Sequence, residues 1–231
     1  SWPPREARSE VLYLAKTSLS TTASTADESF RSTPRSIGRG VLTEGEPSTN
    51  GYSEMFRAAC AERNLPGEIA AGRVFFTKPL RKPAVIAGNP FAYLKLTTDQ
   101  PGGQVSVQLV DVSPDAECGP LPPSSGSARP LSVGTADLRF IHGNYSAEPF
   151  PVGTPTRVRI DLTHLAERIA AGHRLAVVVS WGDLIDRFSL PYAPHVIVDG
   201  ASEIVLPLLK GTLGGKAPRH DYPPRPFLPK T

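Results

Sequence analysis

Phe91-Ala-Tyr-Leu-Lys-Leu-Thr97 and Val105-Ser-Val-Gln-Leu109 are the two stretches that decide the fold class. In both, apolar residues alternate with polar or small ones, a period of two that places one face of a strand on a core and the other in water. Strands of this kind are usually antiparallel. Asp99-Gln-Pro-Gly-Gly103 between them has the composition of a turn. The pattern therefore predicts two neighbouring antiparallel strands joined as a hairpin.

Short apolar or alternating runs separated by Gly, Pro and Asp continue on both sides of this pair, as in a protein of many closely spaced strands. The apolar run Leu175-Ala-Val-Val-Val179 predicts a central strand. We find no internal repeat and no regular alternation of strands with helices, which favours two packed antiparallel sheets over an α/β domain. The further strand candidates are Val11–Leu14, Val74–Phe76, Ala84–Ala87, Ser132–Ile141, Thr156–Leu162, Arg174–Trp181, Val196–Val198 and Glu203–Leu209.

Other segments carry different patterns. Tyr52–Arg63 has helix-forming residues with helical spacing of its apolar positions, and Thr163–Gly172 favours a helical turn or two, capped by Thr163 and ended by Gly172. Thr17–Ser36 is rich in Ser and Thr and predicts a covering loop. We therefore expect one domain with a loop-rich N-terminal part (1–72), a sandwich core (73–210) and a Pro-rich tail (211–231).

Composition narrows the class further. The 231 residues include 25 prolines and 20 glycines, so long helices are not expected. A net charge of +3 is dispersed along the chain, which argues against nucleic acid as a partner, and no apolar run is long enough to cross a bilayer. The chain begins Ser1-Trp-Pro-Pro4 without an initiator methionine, as expected of a piece of a longer protein or a processed form. Localisation and oligomeric state stay open.

A nucleophile for hydrolysis is not evident. An α/β-hydrolase needs Gly-x-Ser-x-Gly on a strained strand-to-helix turn, and the nearest approach is Val178-Val-Ser-Trp-Gly182, where a valine replaces the first glycine. Too few residues follow to complete such a fold. Ser180 is therefore interpreted as a strand-end serine beside a packed tryptophan, although acids and histidines follow it in a permissible order, at Asp186, His195, Asp199 and His220.

Metal and cofactor sites are not expected either. The five histidines (His142, His164, His173, His195 and His220) are scattered without ligand spacing. Asp111 and Asp115 could contribute to a Ca²⁺ site, but a third and fourth oxygen ligand are missing, so capping of the turn by Asp115 is favoured. Cys60 and Cys118 allow one disulfide at most, and their redox state is left open.

Two features of the sequence bear on sugar recognition. Asn144-Tyr-Ser146 matches a glycosylation sequon, which is informative only if the host is known. Aromatic platforms that stack on sugar rings would need exposed Trp or Tyr side chains along one face. The available aromatics are Trp2, Tyr93, Tyr145, Trp181 and Tyr192, and packing in the core or at an edge is favoured for them.

An ordered set of motifs resembles a known family. The segment from Val74 to Leu209 is similar to the C-terminal domain of the X-Pro dipeptidyl-peptidase and cocaine-esterase family of serine hydrolases, and the opening of the chain resembles the start of that domain. The motifs are Phe76-Thr-Lys-Pro-Leu80, Ile86-Ala-Gly-Asn-Pro90, Leu94-Lys-Leu-Thr-Thr-Asp99, Val107-Gln-Leu-Val-Asp-Val-Ser-Pro-Asp115, Pro149-Phe-Pro-Val-Gly153, Val158-Arg-Ile-Asp-Leu162, Ala171-Gly-His-Arg-Leu175 and Leu206-Pro207. Their order and spacing together are more specific than any one of them.

The resemblance implies an all-β jelly-roll β-sandwich of galactose-binding-like architecture, which follows an α/β-hydrolase catalytic domain in the family. It implies a non-catalytic role, packing on that domain and helping to shape its active site. No catalytic residue carries over, because the nucleophile elbow and its partners have no matching positions in this chain. The expected partner is thus a hydrolase domain of a parent that cleaves a peptide or ester bond.

Four of the matched residues have physical roles that can be anticipated. Gly88 and Gly172 stand at turns before strands, where a left-handed backbone or a close approach is expected. Arg174 enters the central strand, where its guanidinium needs a carboxylate or carbonyl partner, with Asp161 and Asp183 as candidates. Like Arg174, His173 is expected to be structural. Two alternatives to the hydrolase role stay open, a carbohydrate-binding module and a purely structural assembly domain.

Overall fold

The computed structural model of the protein describes residues 4–16, 18–31, 72–114, 128–143, 146–181 and 194–216. These residues form strands and one short 3₁₀ helix, Leu138–Phe140. The strands are β1 (Arg8–Ala15), β2 (Ser18–Ser20), β3 (Glu28–Arg31), β4 (Gly72–Phe76), β5 (Ala84–Gly88), β6 (Phe91–Thr98), β7 (Gln104–Val112), β8 (Ala128–Asp137), β9 (Thr156–Asp161), β10 (Leu165–Ile169), β11 (Arg174–Trp181), β12 (His195–Val198) and β13 (Glu203–Lys210). The all-β class is therefore confirmed.

Two groups of strands make up the hydrogen-bonded network. The first sheet contains β3, β12, β6, β13 and β1, with β9 paired to β6 and with β5 between β13 and β10. The second sheet has the order β4-β11-β7-β8, so β11 is central as expected. A single parallel pair, Ser18 with Phe76, joins the two groups, whereas the other pairings are antiparallel. The chain thus forms a sandwich, and its assignment as a jelly roll stays a prediction.

A shared core fills the space between the sheets. Alternate residues of each strand point inward, for example Leu94 and Leu96 of β6, which face Val177 and Val179 of β11 across this core. The period of two in the sequence is what places them there. The largest fully buried side chains are Phe75, Phe150, Leu12, Leu14, Ile86, Leu94, Leu96, Leu109, Leu138 and Ile160.

The sandwich is closed along one side where β8 meets the start of the β9–β10 connection. The backbone N–H of Thr163 donates to the carbonyl oxygen of Val133 at 2.8 Å, and the Ser132 hydroxyl donates to the carbonyl oxygen of Thr163 at 2.5 Å. Gly134 sits so close to the Asp161 backbone that a Cβ atom would collide with its carbonyl oxygen. The approach of the two sheets therefore depends on a glycine at this edge.

The hairpin predicted across 99–103 is wrong, because β6 pairs within the first sheet and β7 within the second. The turn residues are there, but they carry the chain from one sheet to the other. Pro101 accepts a hydrogen bond from the N–H of Phe150 at 2.7 Å, and Gly103 accepts one from Leu138 at 2.8 Å. A turn composition predicts a change of direction and does not identify the neighbour of the next strand.

The helical turn predicted over Thr163–Gly172 is also wrong, because Leu165–Ile169 forms β10 and pairs with β5. Leu165 and Ile169 are buried, and a spacing of four residues puts two side chains on one face of a strand as well as of a helix. The spacing alone therefore could not separate the two. Gly172 does end the segment with φ +84°, and Gly88 has φ +142°, so both have the left-handed backbone that was expected.

Two other boundaries differ from the predictions. The strand expected over Ser132–Ile141 begins earlier, at Ala128, and ends at Asp137, whose carboxylate accepts the Arg139 N–H and starts the 3₁₀ helix. The loop expected over Thr17–Ser36 contains β2 and β3, which add to sheet edges through backbone hydrogen bonds despite few apolar residues. The helix predicted over Tyr52–Arg63 lies outside the described residues.

Candidate functional site

The sequence candidates for a catalytic triad do not converge. Ser180 lies on β11 in the second sheet, whereas His195 begins β12 in the first sheet and Asp199 follows that strand. Ser180 Oγ and His195 Nε2 are buried, and neither has a hydrogen-bond partner in the described part of the chain. Asp199 forms an ion pair with Lys95 at 2.6 Å. The described candidates therefore form no catalytic relay, and Asp186 and His220 lie outside the described residues.

A buried carboxylate, Asp111, organises one polar cluster in the second sheet. Its Oδ1 is 2.8 Å from His173 Nδ1 and its Oδ2 is 3.4 Å from Arg129 Nη2, while Arg129 Nη1 reaches Glu167 Oε2 at 2.7 Å. The hydrogen bond to Glu167, and more weakly that to Asp111, raises the pKa of Arg129 against the opposing effect of partial burial. The cluster ties the ends of β7, β8, β10 and β11 together, in keeping with the structural role expected of His173.

Both carboxylate oxygens of Asp111 have side-chain partners within the chain, His173 at Oδ1 and Arg129 at Oδ2, and the expectation that no Ca²⁺ ion binds there stays a prediction. Asp115 lies outside the described residues, so its role in capping the turn stays a prediction. Among the residues that the structure describes, no three His, Cys, Asp or Glu side chains come together in a way that could hold a metal ion. Cys60 and Cys118 also fall outside that part of the chain.

Arg174 has an aromatic neighbour in its own sheet. Its guanidinium carbon lies 4.9 Å from the centre of the Phe76 ring, close enough for a cation–π interaction. Asp161, one of the two expected partners, forms an ion pair with Arg159 at 2.9 Å in the first sheet. Asp183 is outside the described residues, so the carboxylate partner of Arg174 stays a prediction.

Glu10 forms a second buried cluster that the sequence analysis missed. Its Oε1 accepts hydrogen bonds from the backbone N–H groups of Leu213 (2.9 Å) and Gly215, and Thr212 donates its hydroxyl at 3.1 Å. The carboxylate thus fixes residues 212–215 against the edge of β1, where Val11 pairs with Lys216. The available signal was the alternation of β1, in which Glu10 points to the same inward face as the core residues Leu12 and Leu14. A carboxylate buried at such a position needs hydrogen-bond donors.

The outer face of the first sheet carries an ordered array of arginine and aromatic side chains. We define the arginine–aromatic face as Phe91, Tyr93, Lys95, Arg157, Arg159, Asp161 and Glu203, which lie on β6, β9 and β13. The Arg157 guanidinium carbon is 4.0 Å from the Tyr93 ring centre, and that of Arg159 is 4.4 Å from the Phe91 ring centre. The available signal in the sequence was the alternation in Thr156-Arg-Val-Arg-Ile-Asp161, which puts three of these charges on one side of a strand.

Ion pairs hold the basic groups of this face in place. Arg157 Nη2 contacts Glu203 Oε1 at 2.7 Å, and Lys95 Nζ contacts Asp199 Oδ2 at 2.6 Å. The hydrogen bond to Asp199 raises the pKa of Lys95. Partial burial acts to raise the pKa of Asp199, but the hydrogen bond from Lys95 outweighs it, so that this pKa lies below its ordinary value of 3.8.

The described aromatic candidates do not form a platform for sugar stacking. Trp181 is buried, and its indole ring packs against Gly103. Tyr93 is nearly buried, and the guanidinium groups of Arg157 and Arg159 lie over its ring at 4.0 and 5.7 Å. Trp2, Tyr145, Tyr192 and the sequon residue Asn144 are outside the described residues. His142 and His164 are exposed on connecting segments, as expected of loop histidines.

Comparison with known proteins gives a consistent match. The family model described as "X-Pro dipeptidyl-peptidase C-terminal non-catalytic domain" matches residues 1–184. No curated protein matches the chain. In addition, no helix among the described residues is both long and apolar enough to span a membrane.

Several solved structures share the fold. An aminopeptidase from a marine sediment Thaumarchaeota archaeon superposes with a TM-score of 0.70 at 22% identity, over 91% of this chain and 38% of its own. An α-amino acid ester hydrolase gives a TM-score of 0.64 at 21% identity, over 87% and 36%. A CocE/NonD family hydrolase from Staphylococcus aureus gives 0.59 at 13%, over 90% and 38%. The chain thus corresponds to little more than a third of each solved structure.

Proposed function

The chain belongs to the family of X-Pro dipeptidyl-peptidase C-terminal non-catalytic domains, and from this membership we propose that it is the accessory domain of a longer serine hydrolase. In that protein it packs on an α/β-hydrolase catalytic domain and helps to shape the active site. The parent cleaves a peptide or an ester bond. The observation that carries this proposal is the family match over residues 1–184, whose description is non-catalytic.

Two features of the structure favour a structural role for this chain over a catalytic one. The residues that could have formed a triad, Ser180, His195 and Asp199, are divided between two sheets. The polar clusters around Asp111 and Glu10 are occupied by internal ion pairs and hydrogen bonds. Buried polar groups that satisfy one another in this way hold strands in register and present no open reactive group.

The length of the solved hydrolases supports a covalently linked partner. Each of the three contains a region like this chain within a polypeptide of which that region is only 36–38%. The remaining part of such a polypeptide is long enough for an independent catalytic domain. We therefore assign the catalytic residues of the parent protein to that other part.

The proposal is tested by deleting the 231-residue chain from the full-length protein and measuring hydrolysis of Xaa-Pro chromogenic dipeptides and p-nitrophenyl esters. We expect kcat/KM to fall by at least about tenfold, since misplacing the walls of an active site costs binding and orientation. A full-length variant with Ser180→Ala should retain its activity and serves as the control. Full activity of the deleted form, or loss of activity in the Ser180 variant, would contradict the proposal.

A carbohydrate-binding role is the alternative, and no observation favours it. Among the described candidates, Trp181 is buried and the ring of Tyr93 is covered by arginine. Stacking on sugars requires an accessible ring face.

A further inference from the structure

We infer that the arginine–aromatic face of the first sheet is the surface on which the catalytic part of the parent protein docks, with Arg157 as the anchor that receives a carboxylate from it. This inference rests on the proposed function and specifies where the contact lies. The sandwich offers two broad outer faces, one on each sheet. The two faces differ in burial, in composition and in the exposure of their charged groups.

The outer face of the second sheet is already buried in the isolated chain. Val110, Val112, Ala176 and Val178 point away from the core between the sheets and form a separate apolar cluster, and none of them has exposed area. Gln108 next to them is equally buried. A face whose central residues are inaccessible cannot receive another domain without a rearrangement. On the first sheet the outward side chains of β13 and β1 are covered too, with Val205 at 1% and Val11 at 3% exposed. The accessible part of its outer face is the strip along β6 and β9 that carries Phe91, Lys95 and Arg157.

The first sheet presents its outer residues in ordered rows. Strand register places Arg159, Tyr93, Glu203 and Tyr13 in one row across β9, β6, β13 and β1. The neighbouring row contains Asp161, Phe91, Val205 and Val11, and a third row begins with the directly paired Arg157 and Lys95. Val205 and Val11 are buried within the chain, whereas the Arg, Tyr and Phe side chains of β6 and β9 are of the types enriched in protein interfaces.

Arg157 is fixed before any partner binds. One face of its guanidinium stacks on Tyr93, and Nη2 is bound to Glu203, yet 52% of the side chain is exposed. Within the described residues, its remaining N–H donors have no hydrogen-bond acceptor. An arginine held in this way loses little conformational entropy on docking, and its planar group suits a carboxylate.

The charges of the face indicate an acidic partner. Glu203 is only 6% exposed while Arg157 is 52% exposed, and Lys95 is 45% exposed against 22% for Asp199. In both pairs the cation is on the outside and its anion lies beneath it. In the third pair, Arg159 and Asp161 are similarly exposed, at 22% and 27%. The excess of accessible charge on the face is therefore cationic, so that a carboxylate of the catalytic part is the complementary ligand.

The rival location is the end of the sandwich near Arg139. Val152 lies at this end, and among the described residues it is the large apolar side chain that is exposed, at 53%. One exposed valine is ordinary for a protein surface and does not indicate an interface. Arg139, which is 54% exposed and bound to Asp137, marks this end and provides an internal reference for Arg157.

Arginine footprinting with phenylglyoxal tests the assignment without a substitution. The modification rates of Arg157 and Arg139 are measured in the 231-residue chain and in the full-length protein. We expect Arg157 to react at least about tenfold more slowly in the full-length protein, since docking removes the exposed guanidinium from solvent, while Arg139 reacts at the same rate in both. Equal rates for Arg157, or protection of Arg139 alone, would overturn the assignment.

Two further outcomes separate this inference from the proposed function and from self-association. A full-length protein that loses activity when the chain is deleted, yet leaves Arg157 unprotected, keeps the proposed function and overturns only the docking face. Protection of Arg157 in the 231-residue chain that increases with its concentration would identify a second copy as the occupant and would also overturn it.

A paired substitution tests the role of charge while avoiding an unpaired buried carboxylate. The double variant Arg157→Gln/Glu203→Gln in the full-length protein removes both charges at similar volume. We expect its thermal midpoint for loss of hydrolysis to fall by about 2–4 °C, as expected for the loss of roughly one charged contact. The matched control Arg139→Gln/Asp137→Asn also removes an internal ion pair of an exposed arginine, so it should lower that midpoint only by the cost of the internal pair and therefore less than the Arg157 variant does. An equal fall in both would contradict the anchor role.

Discussion

At the scale of single residues, the contact between Gly103 and Trp181 shows how a loop position can be determined by a distant side chain. Gly103 has φ +139°, and a Cβ there would overlap the indole ring of Trp181. The tryptophan closes the core at the end of β11 and is nearly buried. A packed tryptophan after Ser180 is predictable from the sequence, but no local pattern links that ring to a glycine far away in the chain.

Replacing Gly103 by alanine should lower the free energy of unfolding by about 2–4 kcal/mol, because the new methyl group meets both backbone strain and the indole ring. The matched control is Gly143→Ala, at a φ of +147° but with no atom within 4 Å of the added Cβ. It should cost only about 1 kcal/mol. Urea unfolding of the two variants measures the difference, and equal losses would show that the Trp181 contact contributes nothing.

A pH effect is expected at Asp137. Partial burial acts to raise the pKa of this carboxyl, but hydrogen bonds from the Arg139 side chain and backbone N–H outweigh it, so the pKa lies below its ordinary value of 3.8. A carboxyl whose pKa is lowered by folding stabilises the protein above its unfolded pKa and loses that contribution as pH falls through the folded pKa.

The variant Asp137→Asn should therefore be less stable than the wild type at pH 6, by about 0.5–1 kcal/mol. The difference should disappear as the pH falls from about 4 to about 2, where the wild-type carboxyl takes up its proton. Urea unfolding at several pH values between these limits tests this. A difference that stays constant down to pH 2 would contradict the assigned ion pair.

At the scale of elements, the buried carboxylate of Glu10 links the first strand to the segment that follows the last one. Residues 212–215 are held by three donors to one side chain, and Arg8 Nη2 donates to the Gly211 carbonyl oxygen at 2.6 Å. Glycines in this segment allow two backbone N–H groups to point at one carboxylate oxygen. The segment after β13 is therefore part of the sandwich up to Lys216.

Glu10→Ala should lower the free energy of unfolding by about 3 kcal/mol, because it leaves buried donors without an acceptor. Amide hydrogen exchange at Leu213 and Gly215 should accelerate more than exchange in β7. Glu6→Ala, on an exposed side chain in the turn that precedes β1, is the control and should change stability by less than about 0.5 kcal/mol. Unchanged exchange at Leu213 would contradict the role of Glu10.

The strands illustrate how much of the architecture follows from sequence. Runs with strict alternation, such as β6 and β9, were predicted nearly to the residue because one face had to be apolar. β10 was missed because Leu165 and Ile169 fit both a helical and an extended spacing. β3 was missed because its four residues form an edge strand through backbone hydrogen bonds to β12, which leave no apolar signature.

At the scale of the whole molecule, two sheets enclose one core. The structure differs from the sequence-based prediction in where the charged side chains lie on the outer surface. The all-β sandwich and the family are predictable from the sequence, because both follow from local alternation and ordered motifs. The arginine–aromatic face is not, since Arg157, Tyr93 and Glu203 come from three strands whose pairing no local pattern encodes. Pairing between distant strands is determined by the global topology.

The central proposal is that the catalytic residues lie elsewhere in the parent protein and that this sandwich, whose described residues form no catalytic relay, supports them. The most direct test is turnover by the purified 231-residue chain of an Xaa-Pro p-nitroanilide and of p-nitrophenyl acetate, with the full-length protein as the positive control. We predict no turnover above the uncatalysed rate for the isolated chain and robust hydrolysis by the full-length protein. Turnover by the isolated chain that is abolished by Ser180→Ala, and retained by Ser146→Ala at an exposed position, would contradict the account.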